Sequence, residues 1–133
     1  MDGTWELDVT ASKFDPGPAR KSDIRTYTVN GDSISMKGTV IFVNGKTFTA
    51  EFTGAFDGKD YPVNGNPRAE TIAQVRVDAY TSKTTTKRDG KVTATSTRKV
   101  SQDGKTMTVT TTGTDESGVK FDNTLLFRKR ATN

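Results

Sequence analysis

One arginine of this chain falls within an apolar strand pattern, where its charge would need a partner. Every second residue from 92 to 100 shares one phase, and these residues are Val92, Ala94, Ser96, Arg98 and Val100. Because alternate side chains of a strand point to the same face, Arg98 is expected among apolar neighbours. We predict that it binds a ligand carboxylate or phosphate, with Tyr80 and Asn123 as hydrogen-bonding partners. Two alternatives stay open: Arg98 lies near the strand end and reaches water, or a bulge reverses the phase.

Two pairs of neighbouring carboxylates are the remaining candidates for chemistry, Asp57 with Asp60 and Asp115 with Glu116. Such pairs can catalyse glycoside hydrolysis, but all four residues lie in turn sequences, where Asp is favoured for turn-forming hydrogen bonds. The chain has no His and no Cys, which excludes Ser-His-Asp and Cys-His catalysis, the usual zinc sites and His-ligated haem. We therefore predict no catalytic residue, no metal site and no cofactor, and a hydrolase that works without histidine is the third hypothesis.

Composition narrows the class of protein further. The 133 residues fit one domain, residues 1–133, with a single core. Net charge is +4, but basic and acidic residues are interspersed, and no aromatic side chain accompanies the lysines that could share an outward face, so no nucleic-acid partner is predicted. No stretch approaches the roughly 20 apolar residues of a membrane helix.

Tight-turn sequences divide the chain into short alternating segments. Asn-Gly or Asp-Gly pairs favour the positive φ angles of hairpin turns, and they occur at 30–31, 44–45, 57–58, 89–90 and 103–104. Apolar residues alternate with polar ones between the turns, with the apolar face expected inside. Examples are Trp5, Leu7 and Val9; Phe48, Ala50 and Phe52; and Ala73, Val75 and Val77 opposite Gln74. Nine or ten strands result.

Sequential antiparallel strands of this number favour closure, because unpaired edge strands template aggregation. The sequence therefore predicts an all-β fold, a single up-and-down antiparallel meander barrel of eight to ten strands. Its interior would be filled by side chains or would hold one small ligand. A two-sheet sandwich is the alternative.

Two segments break the hairpin pattern. Residues 11–22 contain two prolines and a glycine and are predicted to cross one barrel end irregularly. Residues 59–69 form the second long loop, and long loops on a minimal scaffold are favoured places for function. Tyr61 in this loop is a candidate gate of the barrel mouth.

Four sequence stretches carry a resemblance to small secreted bacterial proteins of uncharacterised function. They are Gly3-Thr4-Trp5-Glu6-Leu7-Asp8, Ser12-Lys13-Phe14 with Pro16-Gly17-Pro18, the segment from Phe56 to Pro67, and the segment from Ser101 to Val109. The resemblance spans nearly the whole chain and implies a lipocalin-like, calycin-type β-barrel. It also implies a secreted or periplasmic location, with a leader removed before Met1.

More distantly, the Gly-Thr-Trp start and the hairpin meander are similar to fatty-acid-binding proteins. Those proteins carry a helix-turn-helix between their first two strands, for which 11–22 is too short, so the expected barrel lacks a helical lid. They also carry an Arg-x-Tyr pair on the last strand, whereas this chain reads Leu126-Phe127-Arg128-Lys129 there. The Arg-x-Tyr pair binds a ligand carboxylate in those proteins, and this role therefore does not carry over to the last strand of this chain.

The first functional hypothesis is binding of a small hydrophobic molecule inside the barrel. The residues predicted to bind it are Trp5, Met36, Phe48, Phe52, Tyr80, Arg98, Met107, Asn123 and Phe127. The alternative is a filled barrel that serves as a structural or protein-interaction module of the bacterial cell envelope. In either case the expected state is a monomer or weak dimer.

Overall fold

The computed structural model describes residues 1–17, 19–114 and 117–130, and these residues form ten antiparallel strands without a helix. The strands, β1 to β10 in chain order, are Gly3–Asp15, Arg20–Asn30, Ser33–Phe42, Thr47–Ala55, Tyr61–Asn64, Thr71–Arg76, Thr81–Arg88, Lys91–Val100, Thr106–Thr114 and Lys120–Lys129. Gly31 and Gly45 have φ of 60° and 90° in their hairpin turns, as the Asn-Gly pairs predict. Over the described residues, no helix is long and apolar enough to cross a membrane.

The sheet closes on itself. Each strand pairs with its neighbours in the chain, and β1 also pairs with β10. Trp5 on β1 shows the closure, since its register partners are Arg25 on β2 and Lys129 on β10. A closed sheet leaves no unpaired edge. The predicted up-and-down antiparallel barrel is confirmed, and the sandwich alternative is wrong.

Large apolar side chains fill one end of the barrel. This core consists of Trp5, Leu7, Tyr27, Ile34, Phe52, Val100, Met107, Val109, Leu125 and Phe127. It lies towards the end where β2 turns into β3 and β8 turns into β9, which we call the closed end. The opposite end, where β1 joins β2, β3 joins β4 and β5 joins β6, is called the cavity end.

The segment 11–22, predicted to be irregular, is mostly strand. β1 continues to Asp15 and β2 begins at Arg20, so the prediction is wrong except for the connection 16–19, of which Pro18 lies outside the described residues. A shift in the β1–β10 register between Asp8 and Lys13 lets the strand continue. The Asp8 carboxylate accepts a hydrogen bond from the amide of Ala11 at 3.2 Å, which holds this irregular stretch in place.

On β6 the structure buries the face of Gln74 and exposes the face of Val75, which is the opposite of the prediction. Gln74 is 1% exposed inside the barrel, whereas Val75 is 44% exposed outside it. The amide of Gln74 is tolerated there because its Oε1 accepts a hydrogen bond from Arg98, so a specific contact offsets the loss of water. Alternation alone does not reveal such a partner.

Residues 59–69, predicted as a long loop, contain the short strand β5. It pairs with β4 through two residue pairs, Glu51 with Asn64 and Phe52 with Val63, and with β6 through two more. Gly65 follows β5 with φ of 84°, and a Cβ on it would lie 1.9 Å from the carbonyl oxygen of Thr49. The backbones of the turn and of β4 therefore approach more closely than any side chain allows.

We predict that Gly65→Ala lowers the free energy of unfolding by about 1–3 kcal/mol or more, because backbone strain and a steric clash act together. Gly45→Ala is the matched control, since Gly45 has φ of 90° with nothing within 4 Å of the added carbon. Urea unfolding of both variants separates the clash from the strain. Equal losses in the two variants would show that the approach to Thr49 does not matter.

Candidate binding site inside the barrel

A cavity of about 160 Å³ lies between the apolar core and the cavity end. One wall is apolar and belongs to β3 and β4, and its residues are Met36, Gly38, Val40, Phe48, Ala50 and Phe52. The wall across the barrel belongs to β7, β8 and β9 and is rich in hydroxyls, from Thr84, Thr86, Thr93, Ser96 and Thr111. Such a mixed lining suits a molecule with an apolar body and a polar group.

Arginine is the charged residue that dominates the lining. Among the described residues around the cavity are four arginines and one acidic residue, namely Arg20, Arg25, Arg68, Arg98 and Asp23. Arg68 lies at the cavity end, where its guanidinium stacks over the rings of Phe42 and Phe121 at 5.5 and 5.4 Å. The interior is therefore electropositive.

Asp23 on β2 is 0% exposed and is the anion of a cluster that also contains Arg20 and Arg25. It accepts hydrogen bonds from Arg25 through both oxygens, Nε to Oδ1 and Nη2 to Oδ2, each at 3.0 Å. Arg20 adds a third at 2.5 Å, from Nη1 to Oδ2. Burial lowers the pKa of Arg20 despite this contact. For Arg25 burial acts in the same direction and is the largest single effect, but the charge of Asp23, the neighbouring Tyr27 and the hydrogen bonds to both together outweigh it, so the pKa is raised.

Arg98 on β8 is the other buried arginine and is 3% exposed. Its Nε donates to Ser82 Oγ at 3.1 Å and its Nη2 donates to Gln74 Oε1, so both partners are neutral. Its guanidinium reaches across the barrel to β2 and lies 5.4 Å from the ring centre of Tyr27. Burial lowers the pKa of Arg98, and no carboxylate in the described part of the chain forms an ion pair with it.

Tyr27 connects the two arginine groups at the level where the cavity meets the apolar core. Arg25 Nη1 lies 3.5 Å from the Tyr27 hydroxyl, and Arg98 stacks over the Tyr27 ring. Burial alone would raise the pKa of Tyr27, but the charges of Arg25 and Arg98 together hold it below its usual value. Cations therefore surround this hydroxyl.

Two buried donors lack an acceptor. Gln74 Nε2 and Arg20 Nε have no hydrogen-bond partner among the described residues, and both are N–H groups. The orientation of the Gln74 amide is fixed by Arg98, because only the amide oxygen can accept from a guanidinium. The barrel interior thus offers spare donors.

Four of the nine residues predicted to bind a ligand line the cavity: Met36, Phe48, Phe52 and Arg98. Trp5, Met107 and Phe127 lie in the closed-end core instead. The indole of Trp5 donates to the carbonyl oxygen of Met1 at 2.7 Å. Phe127 stays close to the charged cluster, because the Arg25 guanidinium lies 4.7 Å from its ring centre.

Tyr80 and Asn123 are separate from Arg98. Tyr80 is 46% exposed at the closed end, and Asn123 accepts a hydrogen bond from the amide of Asp15 at 3.2 Å. Tyr61 donates to Asp57 Oδ2 at 2.6 Å, and its ring packs over Gly54. Neither of the two predicted partners therefore contacts Arg98, and Tyr61 is held on its own turn. The other carboxylate pair, Asp115 with Glu116, lies outside the described residues.

Sequence reasoning missed Asp23, Arg25 and Tyr27, the three residues of β2 that connect to Arg20 and Arg98. The signal was present, since these three residues share one phase of β2 and all three point inward. In the sequence this signal consists of an acidic residue, a basic residue and a tyrosine at every second position, Asp23, Arg25 and Tyr27. Arg20 and Gln74 carried no comparable signal.

No known family model matches this chain, and no curated protein is found as a relative. The function of the protein is therefore argued from the barrel itself. Within the described residues, no three side chains of His, Cys, Asp or Glu are gathered in a way that could hold a metal ion. The arrangement as a whole is a small amphipathic cavity with buried cations.

Proposed function

We propose that this protein binds one small, largely apolar molecule inside its barrel. The observation that carries the proposal is the cavity of about 160 Å³ beside the apolar core of the closed end. An engineered cavity of about 150 Å³ in another protein accepts benzene, so this volume suits a molecule of one aromatic ring or its equivalent. The apolar wall of β3 and β4 supplies the contact surface for such a body.

The filled-barrel alternative is less well supported by this geometry. The closed end shows that the chain can fill a barrel with large side chains, since Trp5, Met107 and Phe127 are fully buried there. At the cavity end small residues, Gly38 and Ala50, occupy neighbouring wall positions. The space left by these small residues, beside the hydroxyls of β7, β8 and β9, favours a binding role.

The proposal is tested with single-ring compounds of different charge: toluene, benzyl alcohol, benzylamine and benzoate. At least one is expected to raise the melting temperature with increasing concentration, because a ligand that binds only the folded state stabilises it. Amide NMR shifts are expected to change at Gly38, Ala50 and Ser96 and to stay unchanged at the exposed β6 residue Val75. If none of the four compounds stabilises the protein, the binding function fails.

Ala50→Leu is expected to block the cavity. The longer side chain occupies the space of the ligand, so a ligand bound beside it overpacks the cavity at a cost of about 1–3 kcal/mol, which corresponds to a loss of about 5- to 160-fold in affinity. Ala73→Leu on β6 is the matched control, because residue 73 lies on the outward phase opposite Gln74. Titration calorimetry of both variants with the best compound checks this. Unchanged affinity in Ala50→Leu would place the binding site elsewhere.

A further inference from the structure

We infer that the bound molecule is an acid whose carboxylate is held by Arg98. This inference rests on the proposed function and names the chemical class of its ligand. Three observations carry it: among the described residues Arg98 has no carboxylate partner, the buried side-chain atoms left without a partner are donors, and the adjoining wall is apolar.

The first observation concerns charge. Asp23 pairs with both Arg25 and Arg20, so its single negative charge is already shared between two cations. Arg98 makes its contacts with the hydroxyl of Ser82, the amide oxygen of Gln74 and the ring and hydroxyl of Tyr27, and none of these groups is a carboxylate. A buried guanidinium keeps its proton, so the positive charge remains and favours an anion beside it.

The second observation concerns hydrogen bonds. The buried side-chain atoms left without a partner in the described part of the chain are Gln74 Nε2 and Arg20 Nε, both donors. Gln74 is in direct contact with Arg98, so one spare donor adjoins the spare charge. Gln74 is not among the residues that line the cavity, whereas Arg98 is, so the ligand contact falls to Arg98. An anion satisfies its charge, a neutral alcohol does not, and a protonated amine is repelled.

The third observation concerns shape and favours a carboxylate. The lining is apolar on β3 and β4, and the volume holds about one ring or its equivalent, the anionic group included. A planar guanidinium matches the two oxygens of a carboxylate. The Tyr27 hydroxyl lies at the same level, where it accepts from Arg25 Nη1 at 3.5 Å.

The test compares benzoate with benzyl alcohol and benzylamine, which share the ring and differ in charge. In the wild-type protein benzoate is expected to bind at least about tenfold more tightly than benzyl alcohol, and benzylamine is expected not to bind. Arg98→Met should remove this preference and leave binding of benzyl alcohol. Arg98→Lys should retain part of it, because an ammonium keeps the charge but lacks the planar fork.

Arg128→Met is the matched control for loss of one positive charge. Arg128 lies outside the barrel and pairs with Asp8 at 2.9 Å, so the preference for benzoate should stay unchanged in this variant. Equal affinities of the wild-type protein for benzoate and benzyl alcohol would overturn the acid class and leave the binding function standing. A full preference for benzoate in Arg98→Met would leave the acid class standing and overturn its assignment to Arg98. Absence of binding by every compound would overturn both proposals together.

Discussion

Asp23→Asn is expected to lower the free energy of unfolding by about 3–5 kcal/mol, because it leaves the buried Arg20 and the half-buried Arg25 without their counter-ion. Asp23 is fully buried and contacts both Arg20 and Arg25. Asparagine preserves the size of the side chain, but it removes the charge and turns one acceptor into a donor that faces an arginine. Since domains of this size are stable by about 5–15 kcal/mol, the loss is a large fraction of the total.

Urea unfolding at neutral pH measures this loss. Asp32→Asn is the matched control, because Asp32 pairs with Arg76 at 3.2 Å in an exposed position, and such pairs contribute about 0–1 kcal/mol. A loss below about 1 kcal/mol in Asp23→Asn would show that water or a rearranged side chain compensates the two arginines. In that event the view of Asp23 as the structural counter-ion of the cluster is wrong.

The barrel could be predicted because its signals are local. Hairpin turns at Asn-Gly and Asp-Gly pairs and the alternation in segments such as Phe48, Ala50 and Phe52 are readable without knowledge of contacts. The continuation of β1 through 11–15 could not be predicted, because it depends on a register shift against β10 that the Asp8 side chain stabilises. The inward position of Gln74 depends in the same way on a partner far away in sequence.

The candidate site was predictable in part, and Arg98 shows why. Its phase on β8 correctly indicated burial, because period-two alternation decides which face a side chain takes. Its partners could not be deduced, since Tyr27 lies across the closed barrel and Gln74 lies two strands away. Contacts across a barrel depend on strand tilt and stagger, which alternation leaves undetermined. The same limit explains why Tyr80 and Asn123 were expected beside Arg98.

A second large effect is expected when the charge at Arg98 is removed together with its amide partner. The double variant Arg98→Met and Gln74→Leu is expected to raise the free energy of unfolding of the ligand-free protein by about 1–4 kcal/mol. It replaces a desolvated cation and an amide with a spare donor by apolar side chains of similar length. The hydroxyl of Ser82 loses one donor in exchange, which reduces the gain without reversing it.

Urea unfolding of the double variant, with Arg128→Met as control, checks this gain. The control is expected to stay within about 0.5 kcal/mol of the wild-type protein, because Arg128 lies on the surface. If the double variant is the less stable protein, then Arg98 contributes to folding, and its burial needs no ligand to explain it. If the variant is more stable and has lost its preference for benzoate, the wild-type barrel carries an unfavourable charge that an acid neutralises. Such a charge lowers the stability of the ligand-free protein and serves to bind the anion, which is the pattern expected of a binding site.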